Sequence, residues 1–164
     1  MVTSTIRDEL NIITVVLGAD TKKIRSKDSV TLIEYVYNNY EQVNIKELIN
    51  EEFEKWKTIN EKNIYINKGI KDIINIRLGD SKYEKYSVRK EKIKDIKVEI
   101  SCTNYLEAPI EKNKPIGNLK LKLDNDVIEV IDIFTDEEIG KKNVLDYLYE
   151  VVSKYDIILK QCVI

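Results

Sequence analysis

Ser87 and Lys90, in the segment Ser87-Val88-Arg89-Lys90, carry the spacing with the most chemical potential in this chain. A lysine one helical turn after a serine can accept the hydroxyl proton and make the oxygen a nucleophile, provided both side chains converge in a buried cleft. Tyr83, Lys85 and Tyr86 surround this segment without a helical stripe in a strand-rich region, so the spacing reads as coincidence. Cys102 is a nucleophile by type, but the chain has no histidine to generate its thiolate, and a small buried thiol is the simpler reading. The acid pairs Asp124 with Asp126 and Glu137 with Glu138 have the residue type for glycoside hydrolysis or metal binding. Each pair falls in a turn or at a helix start, where carboxylates stabilise exposed backbone N–H groups. Cys102 and Cys162 are far apart, and neither they nor the acids have the spacing of a zinc or calcium site. Lys82 to Lys97 interleaves lysines with Tyr83 and Tyr86, as single-strand binding surfaces do. Glu84, Glu91 and Asp95 interrupt that charge, and a solvated sheet face is expected instead. No catalytic, cofactor-binding or metal-ligating residue is assigned.

The elements that would position these residues follow from periodicity. Ile12 to Leu17, closed by Gly18, is a continuous apolar run that predicts a strand buried on both faces. Met1 to Arg7 precedes it, and Asp8 to Asn11 can turn the chain into a hairpin. A helix from Lys22 to Asn39 follows, capped by Asp20 or Thr21, with Val30, Ile33, Tyr37 and Tyr40 on its apolar stripe. Hairpin and helix together are marginal in isolation. Tyr40 to Asn44 is read as the domain boundary, and Leu48, Ile49, Phe53 and Trp56 define a short amphipathic helix. After Asn60 the period becomes two: Ile64 and Ile66; Ile74, Ile76 and Leu78; Ile96, Val98 and Ile100; Leu119, Leu121 and Leu123. Asn67-Lys68-Gly69, Leu78-Gly79-Asp80 and Asp124-Asn125-Asp126 are turn signals, and the last should join paired strands Gly117 to Leu123 and Val127 to Phe134. Asp136 to Leu159, with Thr135 or Asp136 as cap, reads as an amphipathic helix with Val144, Leu148, Val151, Val152, Tyr155 and Leu159 on one stripe.

Composition bounds the function classes. A chain of 164 residues buries roughly 70% of its unfolded surface. Its 27 basic and 29 acidic residues give a net charge of −2, which supplies no general attraction to nucleic acid. No apolar run approaches the roughly 20 residues that span a bilayer, and no charged-then-apolar signal segment opens the chain. As written it would stay in the cytoplasm. Cys162-Val163-Ile164 is one residue short of a prenylation box.

Val2-Thr3-Ser4-Thr5-Ile6-Arg7, then Val15-Val16-Leu17-Gly18-Ala19, then Tyr35-Val36-Tyr37-Asn38-Asn39-Tyr40 resemble, in that order, the last part of the penicillin-binding domain of bacterial serine-type D-alanyl-D-alanine carboxypeptidases. Ala108-Pro109-Ile110-Glu111-Lys112-Asn113-Lys114-Pro115-Ile116-Gly117 resembles a signature of their β-rich C-terminal domain, with Asn113 where the family has Gly. The resemblance implies that the family's Ser-x-x-Lys, Ser-x-Asn and Lys-Thr-Gly motifs would all lie before Met1. Ser101-Cys102-Thr103-Asn104 places its Asn one position too late for the second motif.

What the resemblance implies is an α+β chain in three parts. Residues 1–40 would be the terminal hairpin and helix of a truncated penicillin-binding domain. Residues 41–136 would be a mostly antiparallel, β-sandwich-like domain, and residues 137–164 an amphipathic helix. The chain would be a C-terminal fragment of an enzyme of peptidoglycan maturation, inactive alone and needing no cofactor or metal. The alternative is a cell-envelope binding or interaction module built on the β domain. The implied partners are the membrane surface or cell-wall proteins rather than nucleic acid, and the intact family works outside the cytoplasm in association with the membrane. The mixed charges Lys142, Asp146, Glu150, Lys154 and Asp156 favour docking of the last helix on the protein's own sheet over membrane attachment.

Overall fold

The computed structural model describes the backbone of residues 1–161 and the side chains of residues 1–152, so Cys162-Val163-Ile164 lies outside the described residues. The chain is α+β and gathers into two compact units. The first comprises Met1–Glu52, Ser81–Glu99 and Lys120–Glu129; the second comprises Phe53–Asp80, Ile100–Leu119 and the chain from Val130 onward.

In the first unit, β1 (Val2–Arg7) and β2 (Leu10–Val15) form an antiparallel hairpin in register from Val2 opposite Val15 to Arg7 opposite Leu10. Asp8 and Glu9 make its two-residue turn with φ of 49° and 64°. Two positive φ angles give the turn the twist of the strands it joins, although neither residue is the Gly or Asn that adopts them most readily. Leu10, Ile12 and Thr14 are buried, whereas Ile13 is 67% exposed. The strand expected to be buried on both faces is therefore covered on one only.

The cover is α1 (Lys22–Asn39), whose N-cap Thr21 accepts a hydrogen bond from the Ile24 amide at 3.3 Å. Tyr37 packs with Leu10 and Ile12, flanked by Ile33, Val36 and Tyr40. Val30, expected on this stripe, faces solvent, and its neighbour Ser29 is 1% exposed. The Ser29 hydroxyl lies 2.8 Å from that of Thr14 and 3.1 Å from that of Thr3, so a small polar residue fits where hydroxyls, not hydrocarbon, line the interface.

Tyr40–Asn44, read as a boundary, is β3, paired antiparallel with β6 (Lys85–Arg89). Asn44 then opens α2 (Ile45–Asn60): its Oδ1 accepts from the Glu47 amide at 3.2 Å and its Nδ2 donates to the Glu47 carboxylate at 3.0 Å. That reciprocal cap ends the strand and starts the helix. Along α2 the buried residues Ile45, Ile49 and Phe53 recur every four positions.

The second unit holds the parallel pair β4 (Tyr65–Asn67) and β8 (Tyr105–Glu107). A four-stranded sheet runs in the order β5-β10-β9-β7, built from β5 (Ile76–Leu78), β7 (Ile96–Cys102), β9 (Pro115–Leu123) and β10 (Asp126–Thr135). Ile74, Ile76, Ile110, Leu119, Ile133 and Ile139 are buried, as period two requires for the strand positions.

Asn113 takes a left-handed φ of 64° between Pro109 and Pro115, filling the position expected of Gly. Thr135, fully buried, pins this turn by accepting from the Lys114 amide at 2.9 Å and donating to the Glu111 carbonyl at 2.7 Å.

The last helix begins later than the periodicity predicts. Residues expected in its first turns are extended, with Ile139 exchanging both backbone hydrogen bonds with Ile110 at 2.9 Å, and Gly140 follows. Helix α3 (Val144–Gln161) is capped instead by Asn143, whose Oδ1 accepts from the Asp146 amide at 3.0 Å while its own amide donates to the Asp146 carboxylate at 2.7 Å. Of its expected stripe, Val144, Leu148, Val151 and Val152 are exposed, and Tyr155 and Leu159 lie outside the described side chains.

Gly117 packs directly against the backbone of Ser101 and Cys102. A Cβ built there would lie 2.4 Å from the Ser101 carbonyl oxygen. Gly117→Ala is expected to lower the unfolding free energy by about 1–3 kcal/mol in urea titrations, the range for a forced backbone shift. An unchanged midpoint would contradict this packing.

Candidate functional site

A serine and lysine three apart meet only on a helix, and the backbone here is a strand. Ser87 lies on the exposed side of β6, and Lys90 follows in a turn of 3₁₀ helix. The Lys90 ammonium donates to the Tyr37 carbonyl at 3.0 Å. No nucleophile and base converge at this segment.

Cys102 ends β7 beside a small cavity of about 80 Å³ lined by Trp56, Asn60, Ile64 and Asn104 among others. Burial pushes its thiol above the ordinary value, which opposes formation of the thiolate. Asp124 has a φ of 54° in the β9–β10 turn and pairs with Lys92. Glu137 pairs with Lys71 and accepts from the Asn75 amide at 3.1 Å, and these partners hold its carboxyl below the ordinary value. Glu138 is exposed beside it. The acids thus serve the turns and crossings in which they sit. Among the described residues, no group of three or more His, Cys, Asp or Glu could hold a metal ion.

The lysine-rich segment is likewise tied down. Lys85 pairs with Glu9 at 2.5 Å, Lys92 with Asp124, and Arg89 donates to the Tyr40 hydroxyl at 3.1 Å. Tyr83 and Tyr86 meet edge to face with centroids 6.0 Å apart, so they do not offer parallel stacking faces.

The structure gathers other residues that the sequence did not connect. In the first unit, Arg7, Leu10, Tyr37, Tyr40, Gln42 and Lys90 help to line a cavity of about 330 Å³. The Arg7 guanidinium sits 4.2 Å from the centroid of the Tyr37 ring and pairs with Glu34 at 3.0 Å, which raises the pKa of Arg7 and lowers that of Glu34. Both cations of this cavity are therefore held by the protein itself. In the second unit, Tyr65 and Tyr105 stand side by side on β4 and β8. The alternation that buries Ile64 and Ile66 points Tyr65 outward, but nothing in the sequence pairs it with Tyr105. Among the described residues no helix is long and apolar enough to cross a membrane.

Residues 50–141 match the family model described as penicillin-binding protein 5, C-terminal domain. The chain belongs to this family. It is 24% identical over 142 residues to the D-alanyl-D-alanine carboxypeptidase DacF of Bacillus subtilis (strain 168), covering 87% of this chain and 34% of DacF. Its fold is similar to that of the D-alanyl-D-alanine carboxypeptidase DacD from Francisella tularensis, with a TM-score of 0.53, 21% identity and coverage of 87% of this chain and 33% of DacD. A likeness to penicillin binding protein 5 from Haemophilus influenzae has a TM-score of 0.49 and 22% identity, over 86% of this chain and 38% of that one. The chain thus spans about a third of the length of the relatives it matches.

The Glu137 site makes a pH-dependent contribution. Its carboxyl pKa is depressed by folding, so the stabilisation is present above the ordinary value near 4.5 and is lost as pH falls through the lower folded value. Glu137→Gln keeps an acceptor for Asn75 and removes the charge. Thermal unfolding should show wild type ahead of this variant at pH 7 and the gap closing below pH 4.5; a gap that stays constant with pH would contradict the ion pair's role.

Proposed function

We propose that this chain acts as the C-terminal, non-catalytic part of a D-alanyl-D-alanine carboxypeptidase of peptidoglycan maturation. The observation that carries the reading is the family match over residues 50–141, which falls on the β-rich part of the chain and carries no acylating serine in the resembled scheme. The separation of Ser87 from Lys90 supports the non-catalytic assignment. In this reading residues 1–40 close the sheet of a penicillin-binding domain, residues 41–136 form a sandwich-like domain that sets its distance from the wall, and residues 137–164 attach the whole. The site of action is outside the cytoplasm, at the membrane surface or among cell-wall proteins.

Incubation with a fluorescent penicillin followed by intact-mass measurement is expected to leave the chain unmodified. A covalent adduct on any serine would overturn the non-catalytic assignment.

A second reading, an envelope interaction module, is favoured by the exposed apolar residues of α3. The chain is expected to cosediment with vesicles of phosphatidylglycerol and phosphatidylethanolamine, and Leu145→Asp/Leu148→Asp to reduce the bound fraction severalfold. Equal binding by this variant would remove the helix from the contact.

A further inference from the structure

The hairpin and the helix that covers it carry a core of their own. Leu10, Ile12 and Tyr37 are its buried members, and Ile33, Val36 and Tyr40 pack against them, so the cluster is complete by the first residue of β3. The buried hydroxyls of Thr14 and Ser29 meet within the same segment. Residues 1–39 thus form a lobe that closes on itself.

The attachment of this lobe to the rest of the first unit is of another kind. Glu9, in the hairpin turn, pairs with Lys85 of β6 at 2.5 Å, with 70% and 33% of the two side chains exposed. Lys90 donates at 3.0 Å to the Tyr37 carbonyl in the last turn of α1, a turn with no basic residue of its own. A cation there satisfies an orphan carbonyl and the negative end of the helix dipole. Tyr40 is anchored beyond the lobe, its hydroxyl accepting from Arg89 at 3.1 Å. Packing across the joint is incomplete: the cavity of about 330 Å³ draws Arg7, Leu10 and Tyr37 from the lobe and Gln42 and Lys90 from beyond it. Such a joint forgoes the close contacts that make an interior cohesive. Period two places Gln42 on the same face of β3 as Tyr40, and its buried Oε1 has no hydrogen-bond partner among the described residues. Water reaching that oxygen stabilises an opened joint.

We propose that residues 1–39 are a latched lobe that opens as one cooperative unit, hinged ahead of Tyr40, while β3 stays paired with β6. Lys85 and Lys90 are the latch. Because the latch consists of charged contacts near the surface, ionic strength sets how often the lobe opens. The device concerns the inner side of the lobe and holds whatever surface meets the outer face of the hairpin.

Native-state hydrogen exchange, followed by amide NMR on the 164-residue chain, reads the opening directly. The hydrogen-bonded amides of β1, β2 and α1 are expected to share one opening constant, larger than that of β3 and β6. Raising sodium chloride from about 0.01 M to about 1 M shortens the Debye length from about 30 Å to about 3 Å. The shared constant should then rise about three- to tenfold, the scale of two exposed charged contacts. Lys85→Met/Lys90→Met should give the same rise at low salt and abolish the further response to salt. Unfolding midpoints report whether this variant folds, and Lys85→Met alone, with a smaller rise, serves if it does not. Equal constants for the lobe and for β3 and β6, separate constants for hairpin and helix, or an unchanged constant in the folded variant would overturn the proposal.

Discussion

A strand with apolar side chains on both faces and a cover for only one sets the character of this chain. Leu10 and Ile12 of β2 pack under α1 with Tyr37, and the hydroxyls of Thr14, Ser29 and Thr3 meet at the same interface. The opposite face carries Ile13 and Val15, with Val2 and Ile6 from β1, and all four are exposed. Burying such side chains would contribute about 1.5–3 kcal/mol each, so this face is suited to a partner surface. In the proposed reading that surface belongs to the remainder of a penicillin-binding domain.

Backbone geometry also explains why the sequence's reactive residues remain apart. Ser-x-x-Lys is a helical device, and on the extended backbone of β6 the serine faces solvent while the lysine is bound to the Tyr37 carbonyl. Carboxylates follow the same logic: Asp124 and Glu137 stabilise a turn and a crossing through lysine partners. The architecture orders loops and strands with its charges and leaves its exposed aromatic and apolar faces for contact.

Much of the architecture was legible because it rests on local rules. Thr21 as a cap, Asn113 in a left-handed turn, the β9–β10 hairpin and the inward residues of β4, β5 and β9 all follow from residue type and period. The failures involve longer-range competition. Whether β2 is covered once or twice depends on what packs against it, and the pattern records only that both faces are apolar. Tyr40–Asn44, read as a domain boundary, is also a strand, and its pairing was not legible because its partner β6 is 40 or more residues away. The late start of α3 reflects the bridge of Ile139 to Ile110, which outweighs helical propensity over that stretch. The tyrosine pair was invisible for the same reason, since only the parallel pairing of β4 with β8 brings it together.

One measurement bears most directly on the open hairpin face: urea unfolding of Ile6→Thr/Ile13→Thr/Val15→Thr, which keeps strand-favouring residues and removes hydrocarbon from that face alone. If the face meets only water, the unfolding free energy stays within about 0.5 kcal/mol per site of wild type. A loss of more than about 1 kcal/mol per site, approaching the value of buried side chains, would contradict the account.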